Sequence, residues 1–482
     1  MLASNTRAAA RMTLAVVTAS AISCSRPPRL AADLVITRAS IWTGNPAQPS
    51  AMAVAVIGDR IVDVGGADEI ERWRGANTTV LDAEGRRLIP GFNDAAVRFG
   101  EGGNELENVD LRDAGSAAEF ARRINERAKG KPGEWITGGH WDERRWAPAT
   151  LPTRALIDDA TNSSPVFVTR FDQAMGLANA AALGRAGITE DTLDPSGGTI
   201  VRGADGFPTG VLQGAAMELV ERVIPRVTPE QRLRAVKRAL EHAESLGVTS
   251  VQDVGASADD IAAYAALASR SELTVRVYAI QAEGAWYDQA KLGLRRAFGS
   301  PWLRIGAVHA ELGPGLAGDA MRTRLIAADH AGLQISVSGS RDGPPSPVLD
   351  LFEAIAAANG GRDRRFRADR TRILGTGLAR LAALNAIAPL GSGWPDAPLN
   401  PMVTLQTPAA ASMTVAEALT VLTSGNAFAE FQEGEKGMIA RGKLADMVIL
   451  SDDILSIAPA RVKDVQVLTT IVGGRIVHQR KP

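Results

Sequence analysis

Imidazole, thiol and net charge are all scarce in this 482-residue chain, and each shortage narrows what it can do. There is one cysteine, Cys24, so no internal disulfide can form. Lys+Arg 53 against Asp+Glu 54 leaves a formal net charge of -1, which makes no field to draw in nucleic acid or an acidic membrane surface. Histidine occurs only 5 times, which limits any site built from several imidazoles. A Gly-x-Ser-x-Gly nucleophile elbow and a Walker-type phosphate loop are both missing. What the chain does have is 45% hydrophobic and 22% charged residues, enough for a large barrel core and a second, smaller domain.

The cysteine has an informative setting. Arg7 and Arg11 precede an apolar run over 12–22, which leads into Ala21-Ile22-Ser23-Cys24. A basic start, a short apolar core and small residues before a cleavage point make a secretory signal over 1–23, with a linker over 24–32. The run is too short to span a bilayer of roughly 30 Å as a helix. The segment resembles a bacterial lipobox, which implies lipidation at Cys24 and an exported, envelope-anchored protein. A plain secretory signal releasing a periplasmic or secreted protein, and a buried free cysteine, are the alternatives.

From Asp33 onward the pattern is β: Leu34-Val35-Ile36, Ile41-Trp42, Ala53-Val54-Ala55-Val56-Ile57 and, across a Gly58-Asp59 turn, Ile61-Val62-Asp63-Val64. The C-terminal end repeats this character with Met447-Val448-Ile449-Leu450 and a hairpin folded about Gly473-Gly474. Neither end has enough strands to bury a face alone. The spacing therefore predicts that 33–89 and 431–482 pair into one composite β-sandwich domain.

Between the ends the period changes. Thr228-Pro229-Glu230-Gln231 is a helix start with an N-cap, a first-turn proline and a capping-box glutamine. Leu233, Val236, Leu240, Ala243 and Leu246 form its apolar face, and Gly247 stops it. Strands at 248–254, 273–280, 303–309 and 334–338 follow, with helices from about Gly318 and Pro347. This order predicts an α/β chain whose 90–430 region is a (β/α) barrel, interrupted by an insertion at about 105–213.

Ile89-Pro90-Gly91-Phe92-Asn93-Asp94-Ala95-Ala96-Val97-Arg98 resembles the first barrel strand of the amidohydrolase superfamily, where the pattern is Pro-Gly-Phe-x-Asp-x-His-x-His. Gly442-Lys443-Leu444-Ala445-Asp446 is similar to that family's closing Gly-Lys-x-Ala-Asp, and the insertion is similar to that of its amidohydrolase 3 branch, which hydrolyses exocyclic amides and N-substituted formamides. The resemblance implies a TIM-like barrel, zinc, and histidine ligands at the C-terminal ends of the strands, four of them for a binuclear site.

The ligand positions depart from that pattern. The His-x-His pair, which would put two imidazoles on one strand face, reads Ala96 and Arg98. Alanine has no donor atom, and arginine stays cationic and repels a metal. The histidine of an Asp-Gly-His segment facing the substrate becomes Ala174, and Gln252 takes a position often held by histidine. Two further histidine positions fall on Ser338 and Arg370. In Gly391-Ser392-Gly393-Trp394-Pro395, Gly393 replaces the aspartate that binds metal and moves protons in the family. Only 371–393 remains where the family fits a further strand, helix and loop, so the barrel is expected to be one unit short.

The resemblance with these substitutions implies an exported amidohydrolase-like protein without a metal centre and without a cofactor. It would be a pseudoenzyme binding an unknown small molecule or an envelope protein, with its only membrane contact through a lipid at Cys24. The alternative is a hydrolase acting on non-peptide carbon–nitrogen bonds of N-acyl or N-formyl compounds through a relocated site of His309, Glu311, Asp94 and Asp342. His309 and Glu311 are two apart and share a strand face; without a metal, Asp94 suits a structural role. A further expectation places Arg98 and Arg370 near the former metal position, balancing Asp94, Asp369 or Glu311.

Overall fold

The computed structural model describes residues 30–130, 132–313, 318–339, 346–369, 377–407, 410–411 and 413–480. Cys24, Asp342 and Arg370 lie outside the described residues.

The fold is α/β, with β strands from both chain ends packed together and a parallel sheet between them. A sheet ordered Arg60–Gly65, Ala53–Ile57, Leu34–Thr37, Thr79–Asp82 faces a second one. In that second sheet the C-terminal strand Met447–Leu450 pairs antiparallel with Arg87–Pro90. Leu34, Ile36, Val54 and Val56 of the first sheet share one core with Ile41, Leu88, Met447, Ile449 and Ile471 of the second. Alternating side chains on two facing sheets make this a sandwich. The sandwich is tied to the barrel by Asp446, whose carboxylate accepts from Arg276 Nε (2.7 Å) and Nη2 (2.9 Å) and from the Gly473 amide (2.9 Å). Both charged side chains are buried, and a fork-to-carboxylate pair is the geometry in which such a pair is best compensated.

Among the described residues six parallel strands form the barrel: β1 (Phe92–Val97), β2 (Val248–Val254), β3 (Arg276–Ala282), β4 (Leu303–Glu311), β5 (Gln334–Ser338) and β6 (Arg367–Ala368). The helix at Pro229–Ser245 begins with the expected capping box and buries Val236, Leu240 and Ala243 against β1 and β2. β3 starts three residues later than the apolar pattern predicts. Leu273 and Val275 are buried but lie ahead of the first paired residue, Arg276. The insertion forms its own six-stranded sheet, built from strands between Val109 and Gly214.

A (β/α) barrel ordinarily has eight staves. Here the gap between β6 and β1 is bridged by the single segment 387–394. On one side Ile387 exchanges backbone hydrogen bonds with β6, at 2.9 and 2.7 Å. On the other, Gly393 donates to Ala96 (2.8 Å) and Arg98 donates to Trp394 (2.8 Å). Among the described residues, one segment therefore does what two strands would do, and the barrel they form is a degenerate one.

The segment is held by Asp94. Its carboxylate accepts from the Ser392 amide (3.0 Å) and the Ala96 amide (3.2 Å). Gly391 leaves the space for this contact: a Cβ there would stand 2.4 Å from the Ala96 nitrogen and 2.6 Å from Asp94 Oδ1. Gly391→Ala is therefore expected to destabilise the protein by about 1–3 kcal/mol, the usual cost of forcing a methyl into a filled site, read as a lowered urea midpoint at unchanged m-value.

Candidate functional site

Barrel enzymes act at the C-terminal ends of their strands, and a cavity of ≈440 Å³ opens there. Ala96 and Arg98 line it from the end of β1, His309 and Glu311 from β4, Ser336 and Ser338 from β5, and Arg367 and Asp369 from β6. Leu390, Gly393 and Trp394 of the closing segment complete it.

His309 is clamped by two hydroxyls. β4 and β5 are parallel with His309 opposite Ser336, so Ser336 and Ser338 present their side chains on the same face. Nδ1 lies 3.0 Å from Ser336 Oγ and Nε2 lies 3.2 Å from Ser338 Oγ. Burial, helped by the nearby Arg367 cation, pushes the imidazole down to about 4, so at neutral pH the ring is uncharged. A neutral ring donates from one nitrogen and accepts at the other, and the two serines supply both partners.

Beneath the cavity the barrel is filled by polar side chains rather than by the branched apolar layers usual in this architecture. Arg367 donates to Gln252 Oε1 and, at 2.8 Å, to the Ala95 carbonyl. Gln252 Nε2 donates to the Asn426 carbonyl (2.9 Å). Asn93 donates to Glu430 (2.6 Å), which also pairs with Lys436 at 2.8 Å. Tyr278 donates to Gln334 (3.0 Å). Burial lowers Arg367 to about 10.

The expected positions are not all brought together. Ala96, Ser338 and Gly393 meet at the cavity. Ala174 does not: it is exposed in the turn between two inserted strands, where its amide donates to Asp172. Arg98 lines the cavity but does not balance Asp94, Asp369 or Glu311. Its guanidinium turns outward to Glu101 (2.6 Å) and Asp396 (2.8 Å), whose carboxylates raise it further above its ordinary value. The reason is local. Arg98 is the N-cap of the helix Phe99–Glu107 and has left the strand conformation, so the two-residue alternation ends at Val97.

Asp94 is behind the wall, outside the cavity lining, as the latch on the closing segment. Gly393 sits at φ +77, a left-handed conformation that aspartate adopts only at a cost. Arg367 and Ser336 were missed by the sequence reading. Two-residue spacing from Ser338 would have put Ser336 on the inward face, whereas Arg367 lies on a strand of two residues that shows no period.

The amidohydrolase family model matches residues 79–407 and 395–478. The chain belongs to the amidohydrolase family. It is 29% identical to Protein LONG AFTER FAR-RED 3 of Arabidopsis thaliana, across 95% of this chain and 93% of that protein. It is 24% identical to the N-substituted formamide deformylase of Arthrobacter pascens, across 93% of this chain and 98% of the enzyme. Among solved structures, a metal-dependent hydrolase from Pyrococcus furiosus superposes with a TM-score of 0.66 at 20% identity, over 88% of this chain and 100% of its own. Within this amidohydrolase fold, and among the described residues, no three His, Cys, Asp or Glu side chains converge as a metal-binding group.

Asp94 gives the site a pH signature. Burial lifts its carboxyl from 3.8 to about 6, partly offset by hydrogen bonds from Ser392 and Ala96. The folded state thus holds this proton more tightly than the unfolded one. The associated stability is complete below about pH 4 and is lost as pH rises through about 6, with a slope of at most about 1.4 kcal/mol per pH unit. Asp94→Asn, which cannot titrate, is expected to flatten the urea-unfolding free energy over that window relative to wild type.

Proposed function

We propose that this amidohydrolase-family protein is exported and works without a metal, as a pseudoenzyme whose barrel mouth binds a small molecule. The observation that carries the reading is the clamped imidazole. His309 is the one histidine lining the cavity, and both of its nitrogens are engaged by serine hydroxyls. A zinc site needs several imidazole or carboxylate donors converging on an open position. The donors present do not fit it: Ala96 and Gly393 offer no ligand atom, Arg98 points to Glu101 and Asp396, and the buried cation Arg367 lies beneath. Export is supported by Arg7, Arg11 and the apolar run before Cys24, with lipidation at Cys24 as the anchor.

A second reading has one observation behind it. Ser338 Oγ and His309 Nε2 stand within hydrogen-bond reach, the relation of a nucleophile to its base. That pair would serve a hydrolase acting on non-peptide carbon–nitrogen bonds, the kind of activity named for the Arthrobacter pascens relative. An imidazole pushed down to about 4 is a weak base at neutral pH, and a base is most effective with its pKa near the working pH, so binding is the reading favoured.

Elemental analysis of protein purified from zinc-supplemented culture decides between them, together with an assay on N-formyl and N-acyl amines. Metal far below one equivalent and no turnover are expected. Stoichiometric zinc would refute the metal-free reading, and metal-independent turnover abolished by Ser338→Ala would establish the second.

A further inference from the structure

In the polar interior of the barrel two cations are served by one carboxylate, while the buried Asp94 is taken up by the Ser392 and Ala96 amides. Lys436 and Arg367 are both buried cations, and Glu430 is the carboxylate that serves them. Glu430 is in direct contact with Lys436 at 2.8 Å. It reaches Arg367 only through Gln252, whose amide lies 3.5 Å from Glu430 and whose carbonyl takes the guanidinium. The other buried pair, Arg276 with Asp446, is self-contained.

Arg367 is 2% exposed, has neutral oxygens as its hydrogen-bond acceptors and leaves Nε without a partner among the described residues. A buried charge whose direct hydrogen-bond partners are all neutral is costly, and this one lines a cavity. We propose that the cavity receives a small monocarboxylate, its carboxylate on the Arg367 guanidinium and its remaining polar atoms on the Ser336 and Ser338 hydroxyls.

The cavity has the walls such a ligand needs. Val254, Val337, Leu390 and Trp394 provide apolar surface, and ≈440 Å³ is in the lower part of the small-molecule range of about 300–1,000 Å³. Glu311 and Asp369 on the same lining oppose a second negative charge, which favours a monoanion over a dianion. The fork of an arginine matches a carboxylate in a way that a neutral amide cannot reproduce. The clamped His309 holds Ser336 and Ser338 in place for the rest of the ligand.

This inference rests on the small-molecule-binding reading above and is tested apart from its metal-free part. The experiment is calorimetric titration of the full chain with benzoate and with N-acetylglycine, each against its neutral amide. Carboxylates are expected to bind more tightly than their amides by about tenfold to a hundredfold, the size of a charged hydrogen bond. Arg367→Met is expected to erase that preference. Ser338→Ala is expected to weaken binding severalfold while leaving the preference intact.

Amides binding as tightly as carboxylates, no binding by either carboxylate, or a preference that survives Arg367→Met would each overturn the proposal. Should Arg367→Met fail to fold by circular dichroism, the wild-type preference and its retention in Ser338→Ala carry the decision. A zinc-loaded protein that still shows the Arg367-dependent preference would refute the metal-free reading alone. A zinc-free protein without the preference would refute this inference alone.

Discussion

The closure of the barrel by one segment is the constraint on which the rest of the structure depends. Residues 387–394 must satisfy the edge of β6 and the edge of β1 at once, and an open edge is a liability in any sheet. A buried carboxylate supplies the attachment. Asp94 holds the Ser392 amide, and Gly391 passes close enough for that contact because it lacks a Cβ. The same segment contributes Leu390, Gly393 and Trp394 to the cavity wall. An aspartate found next to a catalytic pair in the family pattern thus serves here to hold the barrel shut, and the cavity owes its shape to that use.

With the barrel closed this way, its interior is a polar core. Side chains from β1, β2 and β6 meet Asn426, Glu430 and Lys436 in connected hydrogen bonds, and Tyr278 of β3 bonds to Gln334 of β5. Such networks are stabilising when each member is satisfied and costly where one is not. Within this network, among the described residues, Arg367 has a guanidinium nitrogen, Nε, without a partner, and its charge is near enough to the clamped histidine to push the imidazole down. Charge and geometry converge at this point of the molecule, where a neutral imidazole lies near a buried cation.

Much of this fold is legible in the amino-acid sequence. The cap at Thr228, the strand at 248–254 and the closing Gly-Lys-x-Ala-Asp stretch all rest on local signals: caps, apolar period and turn residues. The degenerate barrel shows as a shortage of chain. Side-chain direction at element ends is harder. Arg98 follows the strand period on paper, yet a helix begins at Phe99 and turns it outward. Arg367 lies on a strand of two residues, too short to display alternation, and attention to the family's register falls on Arg370 instead. Gly393 reads as a lost side chain, whereas its left-handed backbone is visible only in three dimensions.

The bond between Arg276 and Asp446 bears on the order in which the molecule is made. A ribosome delivers the barrel's third strand well before it delivers Asp446 and the strands 447–479 that extend the second sheet beside Arg87–Pro90. Until then Arg276 has no carboxylate to meet, and the strand Arg87–Pro90 lacks its neighbour Met447–Leu450. Contacts this distant along the chain are slow to form because the intervening loop must close first. Neither contact can therefore form until 446–450 has been made, and the sandwich core stays open up to that point.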